Sequence, residues 1–268
     1  MAKLIRTVLI GLAFVTGGTS AAYACKLVAG YGEEAPYHYT GPEGKIIGID
    51  ADFLRLVANE AGCQLEFQEL PWKRTLHLVR KGGVDLTMGA SFKPERAEFA
   101  HYSVPYRGQP HVVFEKKSNP SGTTDLRTFL QTKRRLGIVL GWHYTNEIQK
   151  LLKNSSVKDQ IMTAPNFDSI MAMSKFNRFD GFLANPSQVA GAIGKDRLAA
   201  EYNMIKADVD VLHFIFSKHR VKQEFVDDFN KRAADHIRRG TFMKICRKYE
   251  EKLIASCSFL STIKSPSG

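Results

Sequence analysis

Residues 84–107 read VDLTMGASFKPERAEFAHYSVPYR. Val84 to Met88 is a short apolar run of the kind buried strands carry, and Gly89 breaks it. A small hydroxyl follows at Ser91, a proline suited to the first position of a helix at Pro94, and a cation at Arg96. A strand that stops at Gly89 delivers its next backbone N–H groups to the carboxyl edge of a sheet, where open α/β sheets hold ligands. Arg96 can then grip a carboxylate through two parallel hydrogen bonds. The pattern reads as an anion site made of the Gly89 backbone, Ser91 and Arg96. Its alternative is a solvated Arg96 paired with Glu95 or Glu98.

Working outward, strands and helices alternate. A strand over Lys26–Gly30 is followed by a loop rich in Gly, Pro and Tyr. Ile49, Phe53, Leu56, Val57 and Ala61 then share one helical face, ended by Gly62. A strand over Gln64–Glu69 leads to Pro71 and a helix through Val79, stopped at Gly82-Gly83. Trp72, at a strand end, is placed to stack on a ligand or to brace its own loop. Beyond the quoted stretch, Gln109–Glu115 is extended and apolar. Helices are expected near 125–131, 145–152, 167–176 and 186–193, and strands over 136–140, 161–163 and 179–183. The run from Val209 to Ser217 reads as a return strand, and helices over 221–239 and 241–254 close the chain. This is an α/β protein with helices on two faces of mostly parallel sheets.

Met1 to Ala24 carries Lys3 and Arg6, an apolar run too short to span a bilayer, and Ala22-Tyr23-Ala24, which reads as a secretory signal cut after Ala24. A cysteine after the cut leaves lipidation open, with Tyr23 a poor residue for it. The net charge of +11 is spread along the chain without a basic block, and an exported protein does not meet nucleic acid as its target. Four cysteines in an exported chain point to disulfides. In a βαβ unit the strands opened by Cys25 and Cys63 lie side by side, which favours a Cys25–Cys63 bridge and leaves Cys246 with Cys257. Free buried cysteines are the alternative. None of the eight histidines has metal-ligand spacing, and no cofactor is expected.

Gly89 and Ser91 after a short strand, then Lys93-Pro94-Glu95-Arg96, then Tyr102-Ser103-Val104-Pro105-Tyr106, together resemble the family 3 solute-binding proteins, periplasmic receptors for polar amino acids and related compounds. Asp85, Gly89, Ser91, Lys93, Glu95, Arg96, Ser103, Pro105 and Tyr106 match the family's pattern. The likeness implies a two-lobed periplasmic-binding-protein fold of type II. Each lobe is then a mostly parallel sheet flanked by helices, and two crossover strands join them. Lobe 1 is expected over 25–110 and 216–268, and lobe 2, with the hinge strands, over 111–215.

In that family the arginine of the motif holds the ligand's α-carboxylate, helped by the serine, roles that fall to Arg96 and Ser91. Gly48 and Asp52 match a helix-starting G-x-x-x-D whose role is structural. By position, Glu33 or Glu34 and Tyr37 line the ligand crevice, and an aromatic is often found where Trp72 stands. Two positions depart from the pattern. Trp142, His143 and Tyr144 follow Gly141 where the family has small hydroxyl residues. Asn185 stands where amino-acid receptors place the acid that pairs with the ligand's ammonium, although Asn185 equally suits the cap of the helix begun by Pro186.

The function expected is a monomeric receptor that closes on a small carboxylate-bearing ligand and presents it to an inner-membrane ABC permease, or to a sensor kinase or chemoreceptor. A second class is an enzyme on the same fold, similar to the exported cyclohexadienyl dehydratases, with Glu33, Glu34 or His143 as its acid. A third is a lobe pair without a ligand, used for signalling.

Overall fold

The computed structural model describes residues 25–140, 142, 144–249 and 257. The expected leader, His143 and the far end of the last helix lie outside them. β1 (Cys25–Tyr31) leads through a small hairpin, β2 (Tyr39–Thr40) and β3 (Ile46–Ile47), to α1 (Ile49–Glu60). At the start of α1, Gly48 takes φ 128°, and a Cβ there would fall 2.3 Å from the Tyr37 carbonyl oxygen, so glycine is required. Asp52 pairs with Arg55 at 2.9 Å and accepts the Tyr249 hydroxyl at 2.7 Å, which ties α1 to the C-terminal region. β4 (Cys63–Glu69) pairs in parallel with β1 from Cys25↔Cys63 to Tyr31↔Glu69, and the two cysteines are joined as a disulfide.

α2 (Trp72–Lys81) ends at Gly82 in the left-handed conformation, and β5 (Leu86–Ser91) then runs parallel to β1. The expectation that this strand stops at Gly89 is corrected. His213↔Ala90 and Ile215↔Thr87 leave Met88 and Gly89 opposite Phe214 alone, a bulge with glycine at φ 67° that turns the strand without ending it. The helix at Pro94, α3 (Pro94–Ala97), is a single turn. β6 (Ala100–Tyr102) and the long β7 (Arg107–Lys116) follow.

The middle of the chain alternates α4 (Leu126–Gln131), β8 (Leu136–Val139), α5 (Asn146–Lys153), β9 (Ile161–Ala164), α6 (Phe167–Lys175), β10 (Gly181–Ala184), α7 (Pro186–Ile193) and α8 (Lys195–Glu201). Side chains of Asp125, Thr145, Asn166 and Asn185 cap α4, α5, α6 and α7. β11 (Tyr202–Ser217) begins seven residues before the expected Val209 and pairs antiparallel with β7 from Tyr202↔Lys116 to Leu212↔Arg107. α9 (Gln223–Arg238) and α10 (Thr241–Arg247) complete the described elements, and Cys246 is bonded to Cys257.

The strand order is β4-β1-β5-β11-β7-β10-β8-β9. Pairing is parallel at both ends of this path and antiparallel around β7 and β11. Two sets of cores form. Phe53, Tyr106, Phe214, Phe229 and Phe242 pack together at the β1–β5 end, and Phe114, Phe182 and Tyr202 pack under α6 and α7 at the other. Separate cores spanned by β7 and β11 are the two-lobed type II architecture. Among the described residues no helix is long and apolar enough to cross a membrane.

Candidate functional site

Between the two cores lies a cavity of about 420 Å³, bordered by Gly32, Glu33, Glu34, His38, Trp72 and Met88, by Gly89, Ser91, Arg96, Gln109 and His111, and by Trp142, Asn185, Gln188 and Asp210. The quoted stretch supplies Met88, Gly89, Ser91 and Arg96 to its lining. Arg96 donates from Nη1 to the Ser91 carbonyl oxygen at 3.0 Å, and its guanidinium sits 5.5 Å from the centre of the Trp72 ring. Partial burial draws its pKa below the ordinary value, while Tyr102, Asp210 and Glu95 oppose that shift. Arg96 is therefore a positioned cation at a cavity wall, not a solvated partner of a helix neighbour. Ser91 lines the cavity and holds the Arg96 guanidinium through its carbonyl oxygen. Trp72 is 39 % exposed and offers a free face, whereas Trp142 stacks on Phe167 at 6.0 Å.

Three sequence expectations need correction. Gly89 lines the cavity, but its N–H is committed to the Tyr106 hydroxyl at 3.1 Å, because the bulge turns it toward the core. Tyr37 is buried outside the lining: its ring lies 3.8 Å under the Arg107 guanidinium and its hydroxyl meets Ser187 Oγ at 3.1 Å. Tyr144 is also buried, accepting the Val139 N–H at 3.1 Å, with burial pushing its hydroxyl up to about 12. Glu33 and Glu34 both reach the cavity, with Glu33 holding the Thr40 N–H and hydroxyl. Asn185 is both cap and lining: Oδ1 accepts the Ser187 N–H at 2.8 Å, while Nδ2 has no hydrogen-bond partner among the described residues.

The sequence reading missed Gly32, His38, Met88, Gln109, His111, Gln188 and Asp210. Arg107, Gln109 and His111 alternate along β7, and Gln109 pairs in register with Asp210 of β11. That period of two was the available signal. Beneath the cavity, Arg107 donates from Nε and Nη2 to both oxygens of Asp50, at 2.7 and 2.9 Å, and both side chains are fully buried. His38 Nδ1 lies 3.4 Å from Asp50 Oδ2, within ionic contact but outside good hydrogen-bond geometry. Among the described residues no group of His, Cys, Asp and Glu could hold a metal ion.

The family model for bacterial extracellular solute-binding proteins, family 3, matches residues 27–252. The chain is 22% identical over 214 residues, 78% of each protein, to a "Probable histidine-binding protein" of Campylobacter jejuni. It is 22% identical over 237 residues to the arginine-binding extracellular protein ArtP of Bacillus subtilis, covering 84% of this chain and 86% of the relative. Similar folds include a histidine kinase sensor domain with similarity to periplasmic binding proteins (TM-score 0.63, 17% identity, 84% of this chain and 95% of that one). An ancestral arginine-binding protein bound to arginine is similar as well (TM-score 0.62, 22% identity, 84% and 97%). An ancestral amino-acid-binding protein described as a precursor of cyclohexadienyl dehydratase has a TM-score of 0.62 at 20% identity, over 84% and 94%. With a match across most of its length and this fold beneath it, the chain belongs to the extracellular solute-binding proteins of family 3.

Proposed function

We propose that the protein is an exported receptor that closes its lobes on an amino acid or close analogue and presents it to an ABC permease. Arg96 carries this reading: it is a positioned guanidinium, braced by the Ser91 carbonyl, at the wall of a cavity that also holds Trp72, Asn185 and Asp210. In this reading Arg96 takes the carboxylate, Trp72 packs on the side chain, and β7 and β11 act as hinge strands, with the lobes dividing near 110 and 216. The chain leaves the cell cytoplasm through a leader cut after Ala24 and works as a monomer in the periplasm. Relatives named as amino-acid-binding proteins support the ligand class.

The test is a thermal-shift screen of ligand-stripped protein against amino acids, dicarboxylates and keto acids, with Arg96→Ala alongside. A ligand at about a hundred times its Kd stabilises by roughly 2.7 kcal/mol, several degrees for a chain of this size. The expected result is stabilisation of the wild type by one or more amino acids and none of the Arg96→Ala form. Amino acids that stabilise both equally would remove Arg96 from the site.

One observation favours catalysis as a second reading. His38 reaches the cavity between two carboxylates, 3.4 Å from Asp50 Oδ2 and 3.9 Å from Glu34 Oε2, separations that would have to shorten on ligand binding for a proton to pass. Loss of prephenate or arogenate, followed by absorbance, would establish it, and no turnover with tight amino-acid binding leaves the receptor.

A further inference from the structure

α2 carries Lys73, Arg74, His77, Arg80 and Lys81 and no acid. At 3.6 residues per turn these five positions fall within an arc of about 120°, and Trp72, Thr75, Leu76, Leu78 and Val79 take the rest of the circumference. The second set is the seated face: Thr75 and Val79 are buried, and Leu76 and Leu78 pack with Val79, Val84 and Ile215. The basic set is exposed throughout. The side chains of Lys73, Arg74, His77 and Lys81 form no ion pair or hydrogen bond with any described residue, and Arg80 lies over the Phe99 ring, 4.6 Å from its centre.

The positive charge is spread along the sequence, but the fold brings a second basic run to this helix. Residues 218–222 read KHRVK. Gly82, where α2 ends, sits against them: a Cβ there would lie 3.1 Å from His219 Cβ and 3.4 Å from Arg220 Cγ. Residues 72–83 and 218–222 together hold seven Lys and Arg and no Asp or Glu. Asp85 pairs with Arg220 at 3.0 Å, and Lys218 shares the surroundings of His101 with Asp227 and Glu224. The edge toward α9 is therefore balanced, and the unopposed charge lies along α2.

Such a face fits an anionic partner, and its composition selects the kind. The cores of protein interfaces are depleted of lysine and built on aromatic and aliphatic anchors. Among the described residues the large exposed hydrophobics are Trp72, Phe92, Leu140, Phe176, Met204 and Val211. Of these only Trp72 belongs to α2 or to the 218–222 turn, and it lines the cavity. A protein partner would find no apolar core here. A layer of lipid headgroups needs none, because each Lys or Arg held near it adds attraction by charge alone. We infer that the basic face of α2, extended by the 218–222 turn, is an electrostatic docking surface for an anionic phospholipid membrane. The contact is peripheral, since the apolar face of α2 is spent inside the lobe and cannot insert. It is independent of which solute the cavity takes.

The experiment is co-sedimentation of the chain beginning at Cys25 with phosphatidylcholine vesicles made with and without phosphatidylglycerol. Wild type is compared with the triple variant Lys73→Gln, Arg74→Gln, Lys81→Gln. A control triple, Lys153→Gln, Lys158→Gln, Lys175→Gln, removes the same charge from exposed positions of the other lobe. Glutamine keeps the helix propensity of the residues it replaces, and thermal unfolding checks the fold of each form. Wild type is expected to sediment only with the phosphatidylglycerol vesicles and to be released as salt rises from about 0.05 M to about 0.5 M, where screening shortens. The α2 triple should weaken the partition about a hundredfold, at roughly fivefold for each cation removed, and the control triple far less. The single variant Lys81→Gln, with an expected loss of about fivefold, carries the test if the triple does not fold. Equal losses from the two triples would reduce the effect to net charge and overturn the assignment. Sedimentation with neutral vesicles, or none with either kind, would overturn it too. Binding to native membranes that the α2 triple abolishes, without binding to lipid vesicles, would give the face to an acidic protein instead.

Discussion

Asp50 is the residue most exposed to the cost of its own burial. Taking its carboxyl out of water raises its pKa; the Arg107 guanidinium and His38 together outweigh that and hold the carboxyl below the ordinary carboxylate value. Arg107 in turn is lowered by burial and raised further by Asp50, and ends well above its usual value. A carboxyl whose folded pKa lies below its unfolded one, about 3.9, stabilises fully above that value and loses the effect as pH falls through the folded pKa. Denaturant unfolding is therefore expected to show stability falling below about pH 4. Asp50→Ala should cost roughly 3–5 kcal/mol at neutral pH, because it leaves Arg107 buried and unpaired, and should flatten the acid limb. An Asp50→Ala protein as stable as wild type would show that the pair is compensated elsewhere. The same residues mark what a sequence conceals. Arg96 and Ser91 were legible because a turn signal, a proline and a cation fall in one short run. Asp50 and Arg107 are far apart in the chain and become partners only when α1 packs against the strand that carries the arginine. Asp210 and His111 lay in runs whose apolar residues dominated, so the polar face of each hinge strand was read as part of the buried one.

The elements themselves were more legible than their joints. α1, α7 and the parallel pair β1–β4 follow from periodicity, a proline start and apolar runs, and the βαβ rule brought Cys25 and Cys63 to the same sheet edge, where they are bonded. The bond closes a loop with a sequence separation of 38 between strands whose ladder starts at the cysteines. Removing it as Cys25→Ser with Cys63→Ser is expected to lower stability by about 2–4 kcal/mol, measured by denaturant unfolding. The Cys246–Cys257 bond spans only 11 positions and should contribute less on loop entropy alone. Equal losses from both pairs would show that the second bond acts by holding the C-terminal region against α1, where Tyr249 already binds Asp52, and not through the unfolded chain. The joints were missed for a local reason. The bulge at Gly89 depends on the register of β11, which the glycine cannot specify by itself, and the early start of β11 at Tyr202 depends on pairing with β7, because Asn203, Lys206 and Asp208 dilute its alternation.

At the scale of the molecule, a contact that joins the two lobes outside the cavity lining is Tyr37 Oη with Ser187 Oγ, 3.1 Å apart and both residues buried. Tyr37 belongs to the core packed around Phe53, and Ser187 to the first turn of α7 in the other lobe. The bond needs the two lobes in apposition, so under the proposed receptor reading it is expected to favour the closed state, as ligand contacts that reach both lobes do. In the proposed receptor, affinity scales with the fraction of molecules able to close. Tyr37→Phe keeps the ring that carries the Arg107 guanidinium and removes only the hydroxyl. The loss of one neutral hydrogen bond is about 0.5–1.5 kcal/mol, so affinity for a stabilising amino acid should fall several-fold, while the saturated protein reaches the same compact form. Small-angle scattering of the ligand-free variant should then show a larger radius of gyration than wild type, converging on it as ligand is added. An affinity unchanged by Tyr37→Phe would mean that closure is set by the ligand and the hinge strands alone, with the tyrosine bracing Arg107 and nothing more.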